Sequence, residues 1–187
     1  MKVLLVDNYD SFTFNLFHLL KGKVSFVDVV RNDKIDFNKV NQYDKILLSP
    51  GPGLPSESSL LKPLIESFSS KKSILGICLG HQAIGEVFNC KLLKMSEVRH
   101  GVKSVLTNYD KSDYLFRGLK EPIEVGHYHS WYLDKKSISD SIKITAESDS
   151  IIMALSHQQF DVKGLQFHPE SILTPQGRKL IENWLAY

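Results

Sequence analysis

Cysteine is scarce in this chain: two residues, Cys78 and Cys90, among 187. They could form one disulfide at most, which excludes a disulfide-built scaffold, and both are expected as reduced thiols. Charge of one sign is also lacking. Lys and Arg number 23 against 21 acidic residues, a net of +2. The bases are scattered, whereas nucleic-acid binders gather theirs on one face or segment, so no nucleic-acid partner is expected. No apolar run approaches the ~18 residues that a spanning helix needs, and no membrane partner is expected. The first apolar run breaks at Asp7, too soon for the core of a signal peptide. Seven histidines are mostly isolated, with no Cys or His cluster at zinc-ligand spacing, so no metal is expected. Repeats and low-complexity tracts are absent, and the serine-rich patches at 67–73 and 137–141 read as solvated loops. These absences leave a soluble protein, expected in the cytoplasm.

What is present is an ordinary globular composition, 42% hydrophobic and 24% charged, at a length that predicts one domain over 1–187. Short apolar strands are expected at 2–6, 24–30, 44–49 and 73–77. Helices are expected at 12–20, 56–68 and 80–88, the first capped by the turn Asn8-Tyr9-Asp10-Ser11. Alternating strands and helices joined by short loops imply crossover units. The second half reads differently, with strands at hairpin-like spacing over 91–94, 102–106, 123–128, 142–146, 151–156 and 162–167. A last helix over 175–185 would carry Pro175 at its first position, where the missing N–H does no harm. The fold class expected is α/β: a mostly parallel central sheet flanked by helices, with a smaller antiparallel β portion in the second half. Ligands then belong at the carboxyl ends of the strands.

Gly76-Ile77-Cys78-Leu79-Gly80 follows such a strand and has the pattern of a nucleophile elbow, with cysteine as the central residue. The turn would lift the sulfur above the sheet at a helix N-terminus, where unpaired N–H groups and the helix dipole favour a thiolate. A buried structural cysteine between two incidental glycines fits the pentapeptide equally well. A thiol nucleophile needs a base, and the base an orienting group. His168-Pro169-Glu170 offers both after the strand at 162–167. Proline biases His168 to an extended backbone, and in an extended segment residues i and i+2 face one side. Alone, this tripeptide reads as a turn with a surface histidine; beside the elbow it reads as the rest of a triad. Pro50-Gly51-Pro52-Gly53 closes a neighbouring strand, either as a plain tight turn or as a donor loop for an oxyanion together with Leu79 N–H. One such donor is worth about 3 kcal/mol to a transition state. Gln82, one helical turn beyond Cys78, can reach the same place. His81, His100, His127, His129 and His157 read as structural, and Cys90 as inert.

Together, Asp7-Asn8-Tyr9-Asp10-Ser11-Phe12-Thr13, Ser49-Pro50-Gly51-Pro52-Gly53, Gly76-Ile77-Cys78-Leu79-Gly80-His81-Gln82, His100-Gly101, Tyr128-His129-Ser130 and Gln166-Phe167-His168-Pro169-Glu170-Ser171 resemble the class I, triad-type glutamine amidotransferases. More narrowly they are similar to the small subunits of anthranilate synthase and 4-amino-4-deoxychorismate synthase. The resemblance implies the catalytic triad Cys78, His168 and Glu170. It implies a glutamine and oxyanion pocket of Gly51, Pro52, Gly53, Leu79, Gln82, Ser130 and Trp131, and no cofactor. Trp131 stands where leucine is frequent, His127 where arginine is common, and Val102 where a lysine usually follows His-Gly.

Ammonia released into neutral water would be protonated, so such a subunit is expected to feed a large synthase subunit directly. That partner would be anthranilate synthase component I or, as the alternative, aminodeoxychorismate synthase component I, or both, with one subunit serving two pathways. A stand-alone cysteine hydrolase or a non-catalytic subunit ranks below both. Phe12, Phe14, Leu16, Phe17, Leu19 and Leu20 on the first helix either face that partner or enter the core.

Overall fold

The computed structural model describes residues 1–187. Its centre is an eight-stranded sheet. In chain order the strands are β1 (Lys2–Asp7), β2 (Phe26–Arg31), β3 (Lys45–Leu48), β4 (Ser73–Ile77), β5 (Leu92–Val105), β6 (Asn108–Tyr109), β7 (Glu124–Leu133), β8 (Ile142–Ser148), β9 (Ile151–His157) and β10 (Val162–Leu165). The helices are α1 (Thr13–Leu20), α2 (Phe37–Val40), α3 (Leu61–Phe68), α4 (Leu79–Val87) and α5 (Gly177–Ala186). The sheet order is β2-β1-β3-β4-β10-β9-β8-β6, and β5 pairs with β7 in a separate antiparallel ribbon. Pairing is parallel from β2 through β10 and antiparallel from β10 outward. The α/β class with a mostly parallel sheet and a small antiparallel part is therefore as expected.

Side chains that alternate along a strand feed opposite layers. Val3 and Leu5 of β1 join Leu16 and Leu20 of α1 and Leu180, Ile181 and Trp184 of α5 in one core. Leu4 and Val6 join Val40, Leu61, Leu64, Ile65, Ala83 and Ile84 of the helices on the other face. Burial on both faces explains why these strands read as near-continuous apolar runs.

Several expected elements differ. The helix at 56–68 is a single 3-10 turn, Pro55–Glu57, followed by α3. Ser58 is extended (φ −98°, ψ 112°), and the Glu57 carboxylate accepts Leu54 N–H at 3.0 Å, which closes the short turn on itself. The strands at 91–94 and 102–106 belong to one strand, β5. Its pairing with β7 shifts register between Lys94 and Arg99 and again between His100 and Val102. The last helix begins at Gly177, leaving Pro175 in the turn before it. A Cβ on Gly177 would lie 1.8 Å from the Pro169 carbonyl oxygen, so the absence of a side chain lets this helix start against the His168-Pro169-Glu170 turn. Helix α2, capped by Asp36 accepting from Asn38 N–H at 3.0 Å, and the two-residue β6 were not foreseen. On α1, Leu16 and Leu20 are buried and Phe17 and Leu19 partly so, whereas Phe14 is 60% exposed.

Candidate active site

Parallel pairing sets Leu48 beside Gly76 and Leu165 beside Ile77. The chain segments leaving β3, β4 and β10 therefore emerge side by side at one edge of the sheet, and each carries one of the motifs. Cys78 leaves β4 with φ +49°, ψ −98° and caps α4. Its N–H donates to Leu165 O at 2.8 Å, and its carbonyl accepts from Gln82 N–H at 3.0 Å. A left-handed φ strains a residue with a side chain, and the two flanking glycines permit it. A Cβ on Gly76 would lie 2.4 Å from the Gly80 carbonyl carbon, and one on Gly80 would lie 2.7 Å from Leu48 Cβ. The geometry is that of the elbow, not of an incidental buried cysteine.

His168 follows β10, with its N–H bonded to Gly126 O at 3.0 Å and its carbonyl accepting from Thr174 Oγ1 at 2.7 Å. Its Nδ1 lies 2.6 Å from Glu170 Oε1, and the two side chains are 3% and 0% exposed. The expected extended backbone is not what joins them. Ser171 N–H bonds back to His168 O at 3.2 Å, so a turn carries Glu170 round to the imidazole. The rings of Phe12 and Tyr128 stand edge-on to His168, at centroid distances of 6.0 and 4.9 Å. Burial works against an imidazolium here, but the charges of Cys78 and Glu170 and the hydrogen bond to Glu170 outweigh it and push His168 up to about 10. Nε2 is buried without a hydrogen-bond partner, which leaves it for the sulfur side of the site.

The loop after β3 is braced from β1. Asn8 N–H donates to Ser49 Oγ at 2.9 Å and Asn8 Nδ2 to Ser49 O at 2.7 Å, which fixes the start of Pro50-Gly51-Pro52-Gly53. Leu79 opens α4, so its N–H belongs to the unpaired first turn, next to the sulfur. Gln82 is buried; its Nε2 donates to Trp131 O at 2.9 Å and to Gln166 Oε1 at 3.2 Å. Gln166 Nε2 in turn lies 3.6 Å from Cys78 Sγ. Gln82 thus reaches the sulfur through Gln166, a residue that the sequence motif contained but to which no role was given. Ser130 and Trp131, on β7, are half-buried, and the Trp131 carbonyl is part of this network.

Of the histidines read as structural, His81 and His157 are so placed, whereas His100 is exposed beside the Tyr128 ring. His81 is fully buried against Gly164, and burial lowers it to about 3. His157 Nδ1 faces the N–H groups of Gln159 and Phe160. Cys90 is buried and unpaired, and burial pushes its thiol up, away from the thiolate a nucleophile needs.

This arrangement has relatives. The family model described as glutamine amidotransferase class-I matches residues 4–186. The chain belongs to the class-I glutamine amidotransferases. Anthranilate synthase component 2 of Cyanophora paradoxa is 40% identical to this amidotransferase over 187 residues, covering 98% of this chain and 97% of its own. Aminodeoxychorismate synthase component 2 of Klebsiella aerogenes is 40% identical over 186 residues, covering 98% of both chains. A glutamine amidotransferase structure from Thermotoga maritima superposes with a TM-score of 0.79 at 16% identity, covering 100% of this chain and 99% of that one, a likeness of fold. No helix of this amidotransferase is long and apolar enough to cross a membrane.

Proposed function

We propose that this amidotransferase is the glutaminase subunit of a chorismate-converting synthase. In this reading Cys78, His168 and Glu170 are its catalytic residues, and Gly51, Pro52, Gly53, Leu79, Gln82, Ser130 and Trp131 line its glutamine pocket. The observation that carries the chemistry is the buried Nδ1–Oε1 contact of His168 with Glu170 at 2.6 Å, which leaves the opposite ring nitrogen unpartnered on an imidazole that the elbow cysteine influences.

Sulfur attacks the side-chain amide carbon of L-glutamine, and the oxyanion forms against Leu79 N–H and the glycine loop. His168, held as imidazolium, gives its Nε2 proton to the amide nitrogen. The C–N bond breaks, ammonia leaves, and a γ-glutamyl thioester remains on Cys78. A water molecule then loses its proton to Nε2 and attacks the thioester, returning glutamate and the free sulfur. Glu170 keeps the imidazole oriented and charge-balanced throughout.

Relatedness to component 2 proteins over nearly their whole length supports a large synthase subunit as partner, and we read the cytoplasm as the compartment. We read anthranilate as the product. The equal identity to an aminodeoxychorismate synthase component favours that enzyme's reaction as the second reading. The deciding experiment mixes this chain with the large anthranilate synthase subunit of the same source, chorismate, magnesium and glutamine, and follows anthranilate fluorescence, with ammonium as control. Glutamine-dependent product is expected. Product with ammonium alone means that the chain serves another synthase, and the aminodeoxychorismate partner is then tested in the same way.

A further inference from the structure

Behind the pocket, a second line of polar side chains runs from the β5–β7 ribbon to the same network. His127 is fully buried and His129 is 5% exposed. His129 Nδ1 lies 2.9 Å from Trp131 O, His127 Nδ1 lies 3.2 Å from His129 Nε2, and Ser104 Oγ lies 2.6 Å from His127 Nε2. The directions of these bonds follow from the last acceptor. A carbonyl oxygen can only accept, so His129 carries its proton on Nδ1. Its Nε2 then offers a lone pair, which His127 meets with a proton on Nδ1. The Nε2 of His127 accepts from the Ser104 hydroxyl, and Ser148 Oγ, 3.0 Å from Ser104 Oγ, closes the line. The Trp131 carbonyl at the other end also holds Gln82, which holds Gln166 beside Cys78 Sγ.

We propose that His127 and His129 are positioning residues of the glutaminase site, each locked as the Nδ1–H tautomer, that fix the Trp131 carbonyl and with it the Gln82–Gln166 pair. The inference rests on the glutaminase reading of that pocket. Without the His127 donor, His129 Nε2 becomes a buried lone pair with no partner. That unpaired lone pair favours a ring turned to reach another donor, which loosens the Nδ1–H bond to the Trp131 carbonyl.

The surroundings hold both rings neutral. Burial is the main cause, lowering His127 to about 4 and His129 to about 3. The groups acting on the pair are Arg99 and His168, which oppose a further positive charge, and Asp149, which favours one at His127. Asp149 is itself bonded to Arg99 at 2.9 Å. The device is therefore fixed across the neutral range.

Two measurements on the full chain test it. Imidazole nitrogen NMR of the wild type is expected to show both rings protonated on Nδ1 alone; a proton on Nε2 of either ring overturns the proposal. Saturable alkylation of Cys78 by the chloroketone analogue of L-glutamine separates binding from the limiting rate. His127→Leu is expected to raise the half-saturating concentration by about tenfold while the limiting rate changes by less than about twofold. His127→Asn, which keeps a donor toward His129, is expected to restore it. An unchanged half-saturation in His127→Leu, or an Asn variant as weak as the Leu variant at an equal unfolding midpoint, overturns it. Wild type left unlabelled at Cys78 would count against the glutaminase reading, and the tautomers would still decide the histidine pair.

Discussion

His168 Nδ1 and Glu170 Oε1 sit 2.6 Å apart because a turn, not a strand, joins them. That turn is held from three sides. Thr174 Oγ1 and Ser171 N–H bond to the His168 carbonyl, Gly126 O takes its N–H, and Gly177 lets α5 begin against Pro169. The imidazole is thus oriented by backbone contacts before any substrate arrives, which is how a rigid scaffold lends precision to catalytic groups.

Cys78→Ser is expected to remove glutamine-dependent product while leaving ammonium-dependent product of the assembled synthase unchanged. A coupled fluorescence assay with each nitrogen source checks it. Retained use of glutamine would remove Cys78 as nucleophile.

The proton on His168 links the site to stability. Its native pKa, about 10, lies above the ordinary 6.5. The stabilisation is therefore fully present below about pH 6.5 and is lost as pH rises through about 10. Urea unfolding of wild type should lose more free energy over that window than His168→Asn does. Parallel curves would mean that the native imidazole holds no extra proton.

Gln166→Leu keeps roughly the same volume but deletes the donor to Cys78 Sγ and the acceptor for Gln82. Stability should fall by about 1–3 kcal/mol, the penalty of a buried donor left unpaired. Glutamine turnover should fall by about tenfold or more. Steady-state kinetics beside thermal unfolding separates the two effects, and wild-type turnover would deny Gln166 a part in the site.

Tyr9 is 50% exposed at φ +61°, with its hydroxyl on Asp33 and Arg31 over its ring. Those contacts are surface contacts, so Tyr9→Ala should cost the fold less than about 1 kcal/mol. If this rim meets the synthase partner, the same change should weaken assembly by roughly 2 kcal/mol, as an exposed tyrosine anchor does. Calorimetric titration with the large subunit measures it, and unchanged affinity would place the partner elsewhere.

Near the start of β10, Lys163 forms a buried ion pair with Asp113 at 2.9 Å and also lies over the Tyr114 ring. Asp113→Ala strands that ammonium and should destabilise the protein by about 3–5 kcal/mol without changing the kinetics of what remains folded. Denaturant unfolding checks the size.

Much of the fold was legible because a strand buried on both faces writes a plain signature. Residues 73–77 read as a strand, and β4 is Ser73–Ile77. The elbow was legible because only a small residue fits on either side of a residue at positive φ. Other features carry no local mark. The break at Ser58 turns a helix-like pattern into a 3-10 turn and a separate helix, and nothing in the periodicity reports it. The irregular pairing that merges two expected strands into β5 depends on what β7 offers opposite, not on β5 alone. Gln166 stood in a recognised motif, but its bond toward Cys78 joins residues from two different strand ends.

The sequence by itself determined the α/β class, the order of the main strands and helices, and which residue types could supply a thiol, a base and a carboxylate. Those properties are written in short windows, through apolar runs, glycine spacing and motif chemistry. Tertiary structure alone decided that His168 reaches Glu170 by a turn, that Gln82 acts on the sulfur side through Gln166, and that His127 meets His129 while His129 meets the Trp131 carbonyl. The first and last join residues two apart in the chain, through a turn and a ribbon that only the folded chain holds in place. The second joins residues more than eighty apart and exists only once the parallel register has brought the ends of β4 and β10 together.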